Sequence, residues 1–195
     1  MRDLNGLRDN LPFALRRVLQ EAAGAENAEQ ALWIVTRTLP SLFGNRSGDY
    51  RMGEPTSAAA AFMATPDRRH HLITAPVNFR PEQYHELVAI DLGHPGIVAR
   101  TRRGVFLADT SHHESFVKIL QTFRAGSAMQ VPMLWKDDYL GVLICANAAR
   151  GTFEEFDFQV MEAFAALAAA LWVAHEGPAW LCTIDYDKLP VRRTE

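Results

Sequence analysis

The longest strictly apolar run in the sequence, the twelve residues from Ala163 to Ala174, constrains the fold more than any other feature. This run is too short to cross a bilayer, because a membrane-spanning helix needs about 20 apolar residues. Thr152 and Glu155 precede it with the T-x-x-E spacing of a capping box, which predicts that one long helix begins there. A helix that is apolar on every side has to be buried, so we expect it to pack against a sheet or a partner helix.

Extended apolar segments are available to build such a sheet, although the polyalanine at 58–61 also suits a helix. We predict strands at 57–64, 70–77, 85–90, 105–109, 127–134 and 139–147. The first two form a hairpin, and the last two flank a turn at Trp135 to Asp138. His70 and His71 are adjacent in an extended segment, so at most one of them points into the interior.

Helices are predicted before and between these strands. An amphipathic segment at 11–23 ends at Gly24, and Asn27 can cap a second helix that Pro40 ends. Pro95 can open a short third helix that stops at Gly104. Short alternating helices and strands are typical of α+β domains.

The stretch ADTSHHESF, residues 108–116, carries two adjacent histidines. Ser111 and Glu114 have capping-box spacing, which predicts a helix beginning at His112 with His112 and His113 on the margins of its apolar stripe. That stripe consists of Phe116, Ile119, Leu120 and Phe123. Adjacent histidines point about 100° apart on a helix, and no H-x-x-x-H spacing occurs nearby, so a metal site is disfavoured.

Composition and missing motifs argue against several classes of function. The formal net charge of -3 gives no general electrostatic reason to bind nucleic acid. Cys145 and Cys182 make neither a disulfide framework nor a C-x-x-C pair, which favours a reducing compartment. The N-terminus lacks the apolar core of a signal peptide, so we expect a cytoplasmic protein without membrane contact. No phosphate-binding glycine loop, nucleophile elbow or paired-carboxylate motif appears, and no cofactor is expected.

Three features of the second half resemble the GAF domain family. They are a Gly-Ile-Val helix before an aspartate-ended strand, an Arg-x-Gly-Ser step into a strand containing Val-Pro, and Leu-Gly-Val-Leu followed by Phe and an alanine-rich helix. The resemblance covers roughly residues 27–175. It implies a central antiparallel sheet, with the terminal helices on one face and a ligand pocket under short helices on the other. Many such domains dimerise through their terminal helices.

The resemblance also suggests how the chain is organised. We expect an N-terminal amphipathic helix at 1–26, the GAF domain at 27–176 and a C-terminal tail at 177–195. No kinase, cyclase or DNA-binding segment is attached in this sequence. The domain would therefore signal through a partner protein or act alone.

Departures from well-known relatives narrow the function. Bilin-binding members attach their chromophore to a pocket cysteine, and residues 94–124 contain none. The free methionine sulfoxide reductases use several pocket cysteines, for which Cys145 is the one remote candidate. Cyclic-nucleotide-binding members carry an Asn-Lys-x-Phe-Asp-Glu signature, of which little beyond Phe153 and Glu154 remains. The sequence therefore disfavours covalent bilin binding, methionine sulfoxide reduction and cyclic-nucleotide binding.

A small oxyanion such as nitrate or a carboxylate is the specific ligand that the pattern favours. Two predicted helix starts, at 95–97 and 112–114, would present free amides with partial positive charge to the implied pocket. Some single-domain members of the family are nitrate receptors. The candidate ligand-binding residues are His94, Pro95, Gly96, Ile97, Arg100, Asp109, His112, His113, Phe116, Ser127 and Met129.

Other interpretations of the same residues remain open. Helix capping accounts for Ser111, Glu114 and Asp109 without a ligand, and partly buried polar residues are common. The leading hypothesis is a non-catalytic receptor that passes ligand occupancy to a partner by population shift. One alternative is a redox enzyme that uses Cys145, although the sequence around Cys145 fits a small buried apolar residue better than a nucleophile. The other alternative is a haem or metal sensor that uses His112 or His113.

Overall fold

A six-stranded antiparallel sheet organises the molecule in the computed structural model, which describes residues 4–43, 55–111 and 117–192. The strands are β1 (Ser57–Ala64), β2 (His70–Val77), β3 (Leu87–Ala89), β4 (Val105–Leu107), β5 (Ser127–Trp135) and β6 (Asp138–Asn147). Their order across the sheet is β3-β2-β1-β6-β5-β4, and each neighbouring pair is antiparallel. The α+β fold class is confirmed, and both predicted hairpins are present.

Five helices lie in the described part of the chain. They are α1 (Leu4–Ala22), α2 (Ala28–Phe43), α3 (Gly93–Thr101), α4 (Glu155–Ala174) and α5 (Gly177–Leu181). Short 3-10 turns occur at Pro81–Gln83 and Tyr186–Lys188. The alternation of β1 shows how the sheet separates two cores: Ala59, Ala61 and Met63 face α1, α2 and α4, whereas Ala60 and Phe62 face α3.

The long apolar helix α4 packs on the sheet, as its composition requires. Trp172 and Phe164 are fully buried in the core that α4 shares with α2. By length and composition alone, α4 is the one helix among the described residues that could span a membrane. This is weak evidence for a membrane span, because a helix packed in a protein core passes the same test. The capping box lies two residues later than predicted, because the Glu154 amide donates to Asp157 Oδ2 at 2.8 Å. Thr152 instead donates its hydroxyl to the Ala149 carbonyl at 3.0 Å.

Helix α2 begins as predicted and ends later. The Gln30 amide donates to Asn27 Oδ1 at 2.9 Å, which confirms Asn27 as the cap. Pro40 does not end the helix, which continues to Phe43. Proline removes one hydrogen-bond donor from a helix, and burial of the last-turn side chains Leu42 and Phe43 offsets that loss.

The C-terminal segment returns to the sheet and is not a loose tail over its described length. Val191 forms an isolated parallel bridge with Leu87 of β3. The Leu87 amide donates to the Pro190 carbonyl at 2.7 Å, and the Arg192 amide donates to the Leu87 carbonyl at 2.8 Å. Residues 190–192 therefore cover part of the outer edge of β3.

Candidate ligand pocket

Helix α3 places its first turn over the sheet, and Gly96 lies close against the backbone of Asp91 in the turn before the helix. The Gly96 amide donates to the Leu92 carbonyl at 3.2 Å, so α3 starts at Gly93 rather than at Pro95. Pro95 has no amide hydrogen to offer. The expected set of free amides at 95–97 is therefore wrong, because one is paired and another does not exist.

A cavity of about 50 Å³ lies between this turn, the α3-facing side of the sheet and the segment that precedes β5. It is lined by Phe62, His94, Pro95, Val117, Ile119, Leu120, Ala125, Ala128, Gln130, Ile144 and Ala146. Among the described residues the lining is mostly apolar and includes two polar side chains, which is the usual composition of a small-molecule site.

Those two polar side chains are His94 on α3 and Gln130 on β5. Both are nearly buried, with 4% and 5% of their surfaces exposed. Gln130 Oε1 has no hydrogen-bond partner among the described residues. A buried amide oxygen without a partner loses about 1–3 kcal/mol relative to water, so a bound ligand or water that bonds the Gln130 amide would recover that loss.

Alternation along β5 corrects two of the predicted site residues. Met129 packs in the core under α2 and α4, and the Ser127 hydroxyl donates to the Ala149 carbonyl at 2.8 Å. Their neighbours Ala128 and Gln130 face the cavity. Ser127 and Met129 therefore lie on the other face of β5 from the cavity, because period two alone does not say which face meets it.

The remaining predicted residues divide into three groups. His94 and Pro95 line the cavity, whereas Arg100 is exposed and Ile97 is half-buried outside the lining. Asp109 accepts hydrogen bonds from the Ser111 amide at 2.8 Å and hydroxyl at 2.6 Å, and lies 3.6 Å from Arg150 Nε. Asp109 therefore closes a local turn with Ser111 and does not line the cavity. His112, His113 and Phe116 lie outside the described residues.

The segment at 117–123 is not the helix that the sequence predicted. Buried Gln83 donates from Nε2 to the Ile119 carbonyl at 2.8 Å and accepts from the Gln121 amide at 3.1 Å through Oε1. These bonds occupy backbone groups that a helix would pair internally. Nothing in the local sequence signals this contact, because Gln83 is 36 residues before Ile119.

Cys145 lies on the opposite side of the sheet from the cavity. Its neighbours Ile144 and Ala146 line the cavity, whereas Cys145 is fully buried in the core under α4. Burial raises the pKa of its thiol, and Asp157 adds to that rise. A neutral, buried thiol is a poor nucleophile, so the placement does not favour the redox alternative.

A buried pair, His71 and Tyr139, lies beyond Phe62 on the cavity side of the sheet. His71 Nε2 is 2.8 Å from the Tyr139 hydroxyl, and the guanidinium of Arg102, at the end of α3, lies over the Tyr139 ring at 4.5 Å from its centroid. Burial lowers the pKa of His71 to about 3, with a smaller contribution from His70. His70 is half-buried, so one histidine of the pair points inward, as alternation required.

No metal-sized cluster of three or more His, Cys, Asp or Glu side chains occurs within residues 4–43, 55–111 and 117–192. This finding does not address His112 and His113.

The sheet order, the helices on one face and the cavity on the other can be compared with known proteins. A family model for the GAF domain matches residues 14–172. The chain belongs to the GAF domain family. This is a family of ligand-binding sensor domains, and the match begins inside α1 and ends near the end of α4. Comparison with curated proteins gave no match.

Solved structures of other GAF domains share this fold. The GAF domain of a phosphoenolpyruvate-protein phosphotransferase from Coxiella burnetii has a TM-score of 0.73 at 20% identity, covering 88% of this chain and 97% of that one. The corresponding domain from Acinetobacter has a TM-score of 0.72 at 17% identity, covering 91% and 97%. A free methionine-R-sulfoxide reductase from Neisseria meningitidis has a TM-score of 0.69 at 14% identity, covering 88% and 91%. At these identities the likeness shows the fold alone.

Proposed function

We propose that this GAF domain is a non-catalytic receptor for a small oxyanion, with nitrate and short carboxylates as the first candidates. The observation that carries the proposal is the cavity of about 50 Å³ beside His94 and Gln130. A cavity of this volume holds a few water-sized groups. Nitrate and acetate are of that size, whereas nucleotides and bilins are far larger.

The Gln130 amide supplies a donor for such a ligand. A glutamine side chain can turn by 180° about its last bond, which exchanges its oxygen for an NH₂ group. In that orientation Gln130 would donate to an oxyanion, and the His94 imidazole at the first turn of α3 offers a second polar contact. Ligand contact with α3 and the segment at 117–121 would then shift the population of states that a partner protein reads in the cytoplasm.

Calorimetric titration with nitrate and acetate tests this proposal. We expect saturable binding to the unmodified protein at millimolar concentration or below. Gln130→Glu should weaken binding about tenfold or more, because a carboxylate accepts hydrogen bonds but does not donate them and repels an anion. Gln130→Leu should weaken it less, since it removes the donor without adding charge. Cys145→Ala, on the other face of the sheet, is the matched control and should bind as the unmodified protein does.

Two outcomes would contradict the oxyanion proposal. One is the lack of saturable binding of either anion by folded protein, with folding checked by circular dichroism. The other is retained binding of the neutral donor acetamide by Gln130→Glu while neither anion binds any variant. The second result would assign the pocket to neutral hydrogen-bond donors.

We further propose that the domain forms a homodimer through α1 and α4. The outward side of α4 carries small apolar residues, with Ala163, Ala166 and Ala174 exposed, and α1 exposes 67% of Phe13. The two helices are neighbours at their ends, where His175 Nε2 lies 2.9 Å from the Ala22 carbonyl. Such an apolar helical surface favours a partner helix.

Sedimentation equilibrium tests the dimer. Ala166→Glu should shift the protein to monomer, because it places a charge in the centre of the proposed interface. Lys136→Glu, in the exposed turn between β5 and β6, should leave the mass unchanged. An unmodified protein that sediments as a monomer at high micromolar concentration would rule the dimer out.

A further inference from the structure

Two side chains from outside the cavity hold the cavity wall at residues 118–121. Gln83 bonds the wall through both of its amide atoms, at 2.8 Å to the Ile119 carbonyl and at 3.1 Å to the Gln121 amide. Gln83 is itself buried, with 1% of its surface exposed. Ile119 and Leu120 form part of the cavity lining, so these bonds fix the position of groups that a ligand would touch.

The second side chain, Arg192, comes from the C-terminal segment. Its Nη1 donates to the Lys118 carbonyl at 3.1 Å and to the Ile119 carbonyl at 2.8 Å. Its Nε donates to Glu86 Oε1 at 3.2 Å, and the two side chains are only 10% and 12% exposed. One guanidinium thus joins the cavity wall, the residue before β3 and the end of the described chain.

The backbone around Arg192 is docked at the same place. The Arg192 amide donates to the Leu87 carbonyl at 2.8 Å, and the Leu87 amide donates to the Pro190 carbonyl at 2.7 Å. If the segment left β3, the Lys118 and Ile119 carbonyls would lose their Arg192 donor and the nearly buried Glu86 carboxylate would lose its cation. If the wall opened, two guanidinium bonds would be lost and the segment would be held less tightly.

We infer that residues 190–192 form a tether, through Arg192, that couples opening of the cavity wall to release of the C-terminal segment from β3. The coupling is reciprocal, since any change that loosens one side lowers the stability of the other by the same free energy. A change in the cavity wall would therefore change how tightly the C-terminal segment is held at the protein surface. The inference concerns the ligand-free protein and does not depend on which ligand the cavity accepts.

Hydrogen exchange of the full chain without added ligand tests the coupling in both directions. Gln83→Leu removes both amide bonds to the wall and touches no atom of residues 190–192 in the hydrogen bonds described, yet it should speed exchange of the Arg192 amide about threefold or more. Arg192→Ala should speed exchange of the Gln121 amide by a similar factor. Lys188→Ala, which removes an exposed ion pair with Asp185 on the same segment, should change neither amide.

The central strands report whether a variant has merely lost global stability. Amides of β1 and β6 should exchange as in the unmodified protein. If Gln83→Leu unfolds, Gln83→Asn replaces it, because asparagine keeps the polar amide on a shorter side chain. If Arg192→Ala unfolds, Arg192→Lys replaces it, because lysine keeps the charge and loses the planar fork of donors. The tether would be overturned if the Gln83 variant left exchange of the Arg192 amide unchanged and the Arg192 variant left exchange of the Gln121 amide unchanged. This result would leave the nitrate titration unaffected, so the two proposals fail separately.

Discussion

Gly96→Ala is expected to lower the free energy of unfolding by about 1–3 kcal/mol and to abolish ligand binding in the cavity. A Cβ atom at this position would lie 2.2 Å from the Asp91 carbonyl carbon and 2.3 Å from its oxygen. Both are backbone atoms, which cannot rotate away as the end of a side chain can. The first turn of α3 and the turn at Asp91 would therefore have to move apart, and His94 and Pro95 would move with the helix.

Urea unfolding and nitrate titration of the same variant measure both effects. Gly24→Ala is the matched control, because its Cβ would meet the Glu21 carbonyl oxygen at 3.6 Å, an ordinary contact. We expect the control to unfold near the midpoint of the unmodified protein. A Gly96→Ala protein with an unchanged midpoint would show that the turn at Asp91 adapts, and the close approach would lose its importance for the site.

Stability is expected to fall as the pH is lowered below about 6.5, with His71 as a major cause. In the unfolded chain His71 takes up a proton near the ordinary histidine pKa of 6.5, whereas in the folded protein burial lowers its pKa to about 3. The unfolded state thus binds more protons between these values. The contribution is fully present above pH 6.5 and declines toward pH 3 at about 1.4 kcal/mol per pH unit.

His71→Gln should flatten this dependence. Between about pH 6.5 and 5 the unmodified protein should lose about 2 kcal/mol more than the variant, measured by urea unfolding across the pH range. Glutamine can still bond the Tyr139 hydroxyl and does not titrate, so the slope separates protonation from packing. His70→Gln, at the half-buried neighbour, should keep most of the slope. Parallel curves for the unmodified protein and His71→Gln would exclude His71 as the source.

The first hairpin could be predicted from sequence because two apolar segments flank a polar turn at Thr65 to Arg69. Strands at 57–64 and 70–77 are present with those bounds. The packing of α4 on the sheet was predictable from its composition, since a helix without a polar face has to bury its apolar side chains. Pattern and local chemistry decide such elements before any tertiary contact forms.

Elements decided by distant side chains were not predictable in this way. The capping-box spacing at Ser111 predicted a helix through Phe123, but its described part, 117–123, is not helical, because Gln83 takes the backbone groups of Ile119 and Gln121. Similarly, Pro40 continues within α2 because the tertiary core buries the last turn.

The cavity lining was predictable in part. Of the predicted ligand residues, His94 and Pro95 line the cavity, whereas on β5 the lining residues are Ala128 and Gln130 and not Ser127 and Met129. A strand presents two faces with equal regularity, and its packing against α2 and α4 decides which one meets the cavity. Gln83 and Arg192 act over long sequence separations, and no spacing rule connects them with the wall that they hold.

The two outermost strands of the sheet, β3 and β4, affect how copies of this protein associate. β3 and β4 are each three residues long, and Leu87 on β3 is already bonded by Pro190 and Arg192. Long uncovered margins recruit foreign strands and lead to aggregation, whereas short or occupied ones offer few free backbone groups. Crowded molecules of this domain should therefore resist strand-by-strand stacking, and removal of the last few residues would weaken that protection on one margin.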